Sequence, residues 1–145
     1  MKATFGMGCF WKPEDIFAKL DVETSVGYMG GDKKDPSYEQ VCSGKTGHTE
    51  VVHIEYDEDK VSYSELLEIF FSNHDPTQTD GQGSDIGDQY RSVIFYYSEE
   101  QRELAEETLL AEQQKYSDPI ITQVLPAADF FKAEEYHQKY VEKNK

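Results

Sequence analysis

The sequence is short of cysteine, tryptophan and positive charge, and it has no long hydrophobic run. Among 145 residues there are two cysteines, one tryptophan and three methionines, and 14 Lys and Arg face 29 Asp and Glu for a formal net charge of −15. Two thiols, Cys9 and Cys42, are too few for a disulfide framework or a cysteine-rich zinc site. The four histidines are dispersed, without the spacings that zinc ligands use, so no metal site is expected. No apolar stretch approaches the roughly 18 residues of a membrane span. The first nine residues lack the apolar segment of a secretory signal, so a cytoplasmic protein is expected. A surface this acidic repels nucleic acid and anionic membranes, which excludes both as partners. What the chain does have is aromatic residues, ten Tyr and eight Phe. Its length predicts one domain over residues 1–145.

Periodicity divides the chain into alternating strands and helices. Lys2 to Met7 alternates apolar and polar residues and predicts a strand that ends at Gly8. Pro13, Glu14 and Asp15 suit a first helical turn, and Ile16, Phe17 and Leu20 supply its apolar stripe. Val22 to Met29 and His48 to Tyr56 read as strands, the second with Val52, Ile54 and Tyr56 on one face. Ser62 and Glu65 form a capping box for a helix carrying Leu66, Leu67, Phe70 and Phe71. Residues 74–89 are polar and predict a long functional loop. A strand over Tyr90 to Tyr97, a helix from Ser98 to about Tyr116, a strand over Ile120 to Leu125 and a helix over Ala133 to Lys143 complete the reading. The order predicts an α+β protein, a two-layer α/β sandwich with a ferredoxin-like core and a mostly antiparallel sheet.

Cys9 lies between a predicted strand and a predicted helix. A helix N-terminus favours thiolate and lowers a thiol pKa. The adjacent Phe10 and Trp11 can form a small apolar pocket, sized for a methyl group. By residue type alone two readings stand: a reactive thiol, or a buried small hydrophobe among core aromatics.

Eight short segments bear on that choice. They are Gly8-Cys9-Phe10-Trp11, Val26-Gly27-Tyr28 with Gly30-Gly31, Pro36-Ser37-Tyr38, Val41-Cys42-Ser43-Gly44, Thr46-Gly47-His48-Thr49-Glu50, Asn73-His74-Asp75-Pro76-Thr77-Gln78, Gly87-Asp88-Gln89-Tyr90-Arg91-Ser92 and Ala133-Glu134-Glu135-Tyr136-His137-Gln138. In this order they resemble the A-type peptide methionine sulfoxide reductases over nearly the whole chain. The resemblance implies that Cys9 attacks the sulfur of methionine-S-sulfoxide, that the oxygen departs as water or hydroxide, and that Cys9 is left as a sulfenic acid. It implies Glu50 as the proton donor, which requires a pKa raised by burial. Tyr38 and Tyr90 match oxygen-binding tyrosines, since a phenol donates a hydrogen bond without carrying charge. Asp85 matches an aspartate that positions substrate or water, while Phe10 and Trp11 would hold the methyl group. No bound cofactor is implied.

Many members of that family carry recycling cysteines in a C-terminal tail, whereas here no cysteine follows Cys42. Cys42 is accordingly read as structural, with a resolving role as the alternative. An external thiol reductant, glutaredoxin with glutathione or thioredoxin, is expected as partner, and the protein is expected to be a monomer. Two rival functions remain at this stage: a thiol peroxidase, and a non-enzymatic acidic interaction domain with an inert Cys9.

Overall fold

The N-terminal run Lys2–Met7 (β1) forms the sheet's central strand because Ala3, Phe5 and Met7 face one side and are all buried. The computed structural model describes residues 1–144; Lys145 lies outside the described residues. The elements that follow are α1 (Trp11–Phe17), β2 (Val22–Met29), α2 (Tyr38–Cys42), β3 (Thr49–Tyr56), α3 (Tyr63–Ser72), β4 (Gly81–Gln82), β5 (Asp85–Ile86), β6 (Ser92–Tyr96), α4 (Glu99–Gln113), β7 (Gln123–Pro126), β8 (Phe131–Lys132) and α5 (Tyr140–Lys143). The six-stranded sheet has the order β7-β6-β1-β3-β2-β8. All its pairings are antiparallel except β6 with β7. The inner order β6-β1-β3-β2 belongs to a β-α-β-β-α-β unit, so the expected ferredoxin-like core and mostly antiparallel sheet are present.

Alternation along β3 separates the two faces. Val52, Ile54 and Tyr56 join Phe5, Phe17, Leu66, Leu67, Phe70 and Ile94 in the core between sheet and helices. Val51 packs on the other face with Met29, Val93 and Phe95. Each large side chain fully removed from water contributes about 1.5–3 kcal/mol. Glu50 belongs by parity to the helix-covered face, paired across the ladder with Tyr28. It sits at the end of the sheet where β1 and β2 finish and β3 starts.

The structure adds one element and corrects four expectations. Residues 38–42 form a helix that periodicity misses, held by a Ser37–Gln40 capping box. The expected loop over 74–89 contains the β4–β5 hairpin, and Asp88–Tyr90 is a 3₁₀ turn, so the strand expected from Tyr90 begins at Ser92. The strand expected from Ile120 begins at Gln123.

The terminal helix expected over Ala133 to Lys143 is broken into a 3₁₀ turn at Glu135–His137 and the short α5, with Lys139 left-handed at φ 54° between them. Tertiary bonds outweigh helix propensity here. The Gln138 amide donates to the carbonyls of Val26 and Ala133 and accepts from the Val26 N–H, all at 2.9–3.0 Å. The Lys139 ammonium reaches Glu14 Oε2 at 3.0 Å, and the Lys139 N–H donates to Oε1 at 2.6 Å. Glu14 is buried, so this carboxylate depends on those partners. Among the described residues, no helix is long and apolar enough to cross a membrane.

Candidate active site

Cys9 follows Gly8, whose φ of +96° turns the chain out of β1. A Cβ at Gly8 would lie 2.8 Å from the Gln82 Cβ, so the β4 hairpin seats directly on the turn that presents Cys9. Gln82 in turn accepts from the Asp75 N–H at 2.9 Å, fastening the hairpin to the end of α3. The Cys9 side chain is half-buried, and the Trp11 N–H hydrogen-bonds its sulfur. The lowered thiol pKa expected at a helix start is not found: the Trp11 N–H acts downward but is outweighed. Burial dominates, the charges of Glu50 and Asp85 add to it, and together they push Cys9 from 9.0 to about 11. Cys9 therefore rests as a thiol at neutral pH, with burial as the main cause.

Glu50 is fully buried. Burial raises its pKa from 4.5 to about 8; the Phe10 N–H opposes the shift and the Asp85 charge reinforces it. That N–H donates to Oε1 at 3.3 Å, while Oε2 is buried and has no partner among the described residues. At pH 7 the carboxyl holds its proton, and the free oxygen is the one that can offer it to a ligand.

Two phenols approach Glu50 from different elements. Tyr38 is the first residue of α2, and Tyr90 closes the 3₁₀ turn after Gly87. Burial drives the Tyr38 phenol far up, and pushes Tyr90 up to about 12 with the Glu50 charge adding to it. Both remain hydrogen-bond donors at any physiological pH. Asp85, exposed at the start of β5, acts electrostatically on Cys9, Glu50 and Tyr90. The Cys42 thiol lies beside the Tyr38 phenol and the Gln89 amide, and its pKa is raised by burial. The structure thus brings Cys9, Tyr38, Cys42, Glu50, Asp85 and Tyr90 to one end of the sheet.

An aromatic cage closes the other side. Phe10 is buried, with its ring 5.8 Å from Tyr28, 6.5 Å from Tyr38 and 5.2 Å from His137. Trp11 stacks on Tyr140 at 3.8 Å with planes 10° apart. Its indole Nε1 donates to His137 Nδ1 at 2.9 Å. Indole only donates, so Nδ1 must accept and the His137 proton sits on Nε2. Nε2 is buried and has no partner among the described residues.

Glu134, His137 and Tyr140 were not singled out from the sequence, although Glu134 and His137 fall within a motif it displayed. Glu134 accepts from the Tyr28 hydroxyl with one oxygen and from the Tyr38 N–H with the other, each at 3.0 Å. It therefore ties the C-terminal segment to both β2 and the start of α2. A helix reading of residues 133–143 hides this, because it points the same side chains at solvent.

The chain was compared with known proteins. A family model described as peptide methionine sulfoxide reductase matches residues 1–145. Peptide methionine sulfoxide reductase MsrA of Methanothermobacter thermautotrophicus is 56% identical over 147 residues, covering 99% of this chain and 87% of that protein. The crystal structure of Mxr1 from Saccharomyces cerevisiae in reduced form superposes with a TM-score of 0.94 at 36% identity, over 99% of this chain and 85% of that one. A crystal structure of Mxr1 in complex with Trx2 matches with a TM-score of 0.68 at 23% identity, over 97% and 84% of the two chains. A match this complete, to sequences and to a fold, leads to one conclusion: the chain belongs to the peptide methionine sulfoxide reductase family.

Proposed function

We propose that the protein reduces methionine-S-sulfoxide, free or within polypeptides, to methionine, and so serves protein repair under oxidative stress. The observation that carries this reading is the buried, unpartnered Oε2 of a Glu50 held protonated near neutrality, beside the half-buried Cys9 thiol. A sulfoxide needs a proton on oxygen and a nucleophile at sulfur at the same time. The substrate methyl enters the cage of Phe10 and Trp11, and its oxygen takes hydrogen bonds from Glu50, Tyr38 and Tyr90. These donors draw electron density from sulfur and make it electrophilic. Cys9 bonds to that sulfur as Glu50 protonates the oxygen, the thiol proton passes to the same oxygen, and it departs as water. A water then attacks the Cys9 sulfur, the sulfur–sulfur bond breaks with its electron pair going to the methionine thioether, and a proton returns to Glu50; the substrate sulfur has gained two electrons and Cys9, now a sulfenic acid, has lost two. Asp85 orients the substrate or the water of this step.

A first thiol of an external reductant converts the sulfenic acid to a mixed disulfide and water, and a second releases Cys9 as the thiol. Thioredoxin is the proposed reductant, in keeping with the Mxr1–Trx2 crystal structure; glutaredoxin with glutathione is the other candidate. Cys42 is assigned no chemical step and is read as structural, with a resolving role as the alternative. The enzyme is proposed to act as a cytoplasmic monomer with one domain over residues 1–145.

The test is mass spectrometry of Cys9 after incubation with racemic methionine sulfoxide, while each epimer is followed. The S-epimer should be consumed with one equivalent of sulfenic acid on Cys9. Cys9→Ser should be inactive, and near-normal turnover by that variant would remove the assignment.

A further inference from the structure

In the cage, Phe10 and His137 are buried and Trp11 is half-buried, but one ring attached to it faces solvent. Tyr136 is 58% exposed, and its ring centroid lies 4.1 Å from that of His137, which is itself 5.2 Å from Phe10 and 4.5 Å from Tyr38. A continuous series of rings therefore leads from the cage to the surface. Carboxylates surround its outer end. Glu134 precedes it by two residues and Glu39 lies in the first turn of α2, and both raise the Tyr136 phenol pKa. Glu135 is exposed beside it, with Lys143 at 4.0 Å as its ion-pair partner. Asp85 and Asp88, both exposed, lie on the hairpin side of Cys9.

We propose that Tyr136 is a platform for the residue next to methionine sulfoxide in a polypeptide substrate, with the surrounding carboxylates discriminating against acidic neighbours. The inference rests on the proposed reduction at Cys9 and ranks its substrates: neutral or basic polypeptide segments are preferred over the free amino acid. A flat, exposed aromatic ring gains contact area from a neighbouring side chain at little entropic cost. Free methionine sulfoxide has no such side chain, and its own charged carboxylate would meet the acidic rim.

The test measures kcat/KM with dithiothreitol as reductant for wild type, Tyr136→Ser and Tyr136→Phe. The substrates are free methionine-S-sulfoxide and three blocked peptides in which the sulfoxide is flanked by Leu, Lys or Glu. Tyr136→Ser should lower kcat/KM for the Leu peptide roughly three- to tenfold through KM, leave free sulfoxide within about twofold, and be rescued by Phe. Wild type should prefer the Lys peptide to the Glu peptide, by a margin that shrinks with added salt. Equal losses on peptide and free substrate, no loss on either, or a loss seen only when thioredoxin replaces dithiothreitol would each overturn the proposal. Wild type that reduces no sulfoxide at all would instead overturn the proposed function.

Discussion

Replacing Glu50 with Gln probes the burial of one proton, and the structure sets the size of the effect. The native carboxyl has a pKa of about 8, against 4.5 when unperturbed. Between those values the folded protein holds a proton that the unfolded chain has released. Raising the pH through that window therefore favours unfolding, by about 1.4 kcal/mol per pH unit. Relative to pH 4.5, Glu50 costs the fold about 3 kcal/mol at pH 7, and the cost levels off above pH 8. Gln keeps an oxygen to accept the Phe10 N–H but has no proton to lose. It also places an N–H₂ where Oε2 has no partner, which is a penalty independent of pH. The slope is thus the diagnostic quantity. Urea denaturation of both proteins from pH 5 to 9 should show the variant gaining on wild type by about 1.4 kcal/mol per unit up to pH 8, then no further. At pH 7 that gain alone corresponds to roughly 6–12 °C in Tm. Activity should move the other way, falling about 10²–10⁴-fold through loss of the proton donor. Cys9 should be alkylated at lower pH in the variant, because one of the charges holding its thiol up is gone. A stability difference that stays flat from pH 5 to 8 would refute the reasoning, since Glu50 would then ionise in the native state as it does in the unfolded chain.

Cys42→Ser should retain turnover with dithiothreitol and with thioredoxin, measured as methionine released per enzyme; a stall after one turnover would make Cys42 the resolving thiol instead. Glu134→Gln keeps one acceptor for two donors, the Tyr28 hydroxyl and the Tyr38 N–H, and removes the charge at the start of α2. The lost bond should cost about 1–3 kcal/mol in stability and lower kcat more than it raises KM, because Tyr38 shifts while the methyl cage stays. A Tm and kcat both equal to wild type would exclude this positioning role.

The sheet was legible wherever one face is buried. In β3, Val52, Ile54 and Tyr56 alternate with Val51 and His53, so period two fixes both the strand and the side to which Glu50 belongs. Capping chemistry located the start of α3 at Ser62 for a similar reason, since the interaction is local and spans three residues. The C-terminal segment was not legible. Gln138 bonds to Val26, 112 residues away, and Lys139 to Glu14, 125 residues away, so no local pattern carries the information that breaks the helix. Tyr90 was recognised by motif but misplaced in a strand, because the 3₁₀ turn that holds it follows from Gly87 at φ 141°.

By itself the sequence determined the α+β alternation, the place of Cys9 between β1 and α1, and the family resemblance. Each of these is written in short contiguous stretches of residue type. Only the tertiary structure decided the protonation states. Glu50 is acidic by composition, yet burial, with no partner for Oε2 among the described residues, keeps its carboxyl protonated near pH 7. Cys9, placed by the chain at a helix start, is held as a thiol because burial outweighs a single backbone N–H. A pKa is set by solvent access and by charges that arrive from distant parts of the chain, and these exist only once the sheet has assembled.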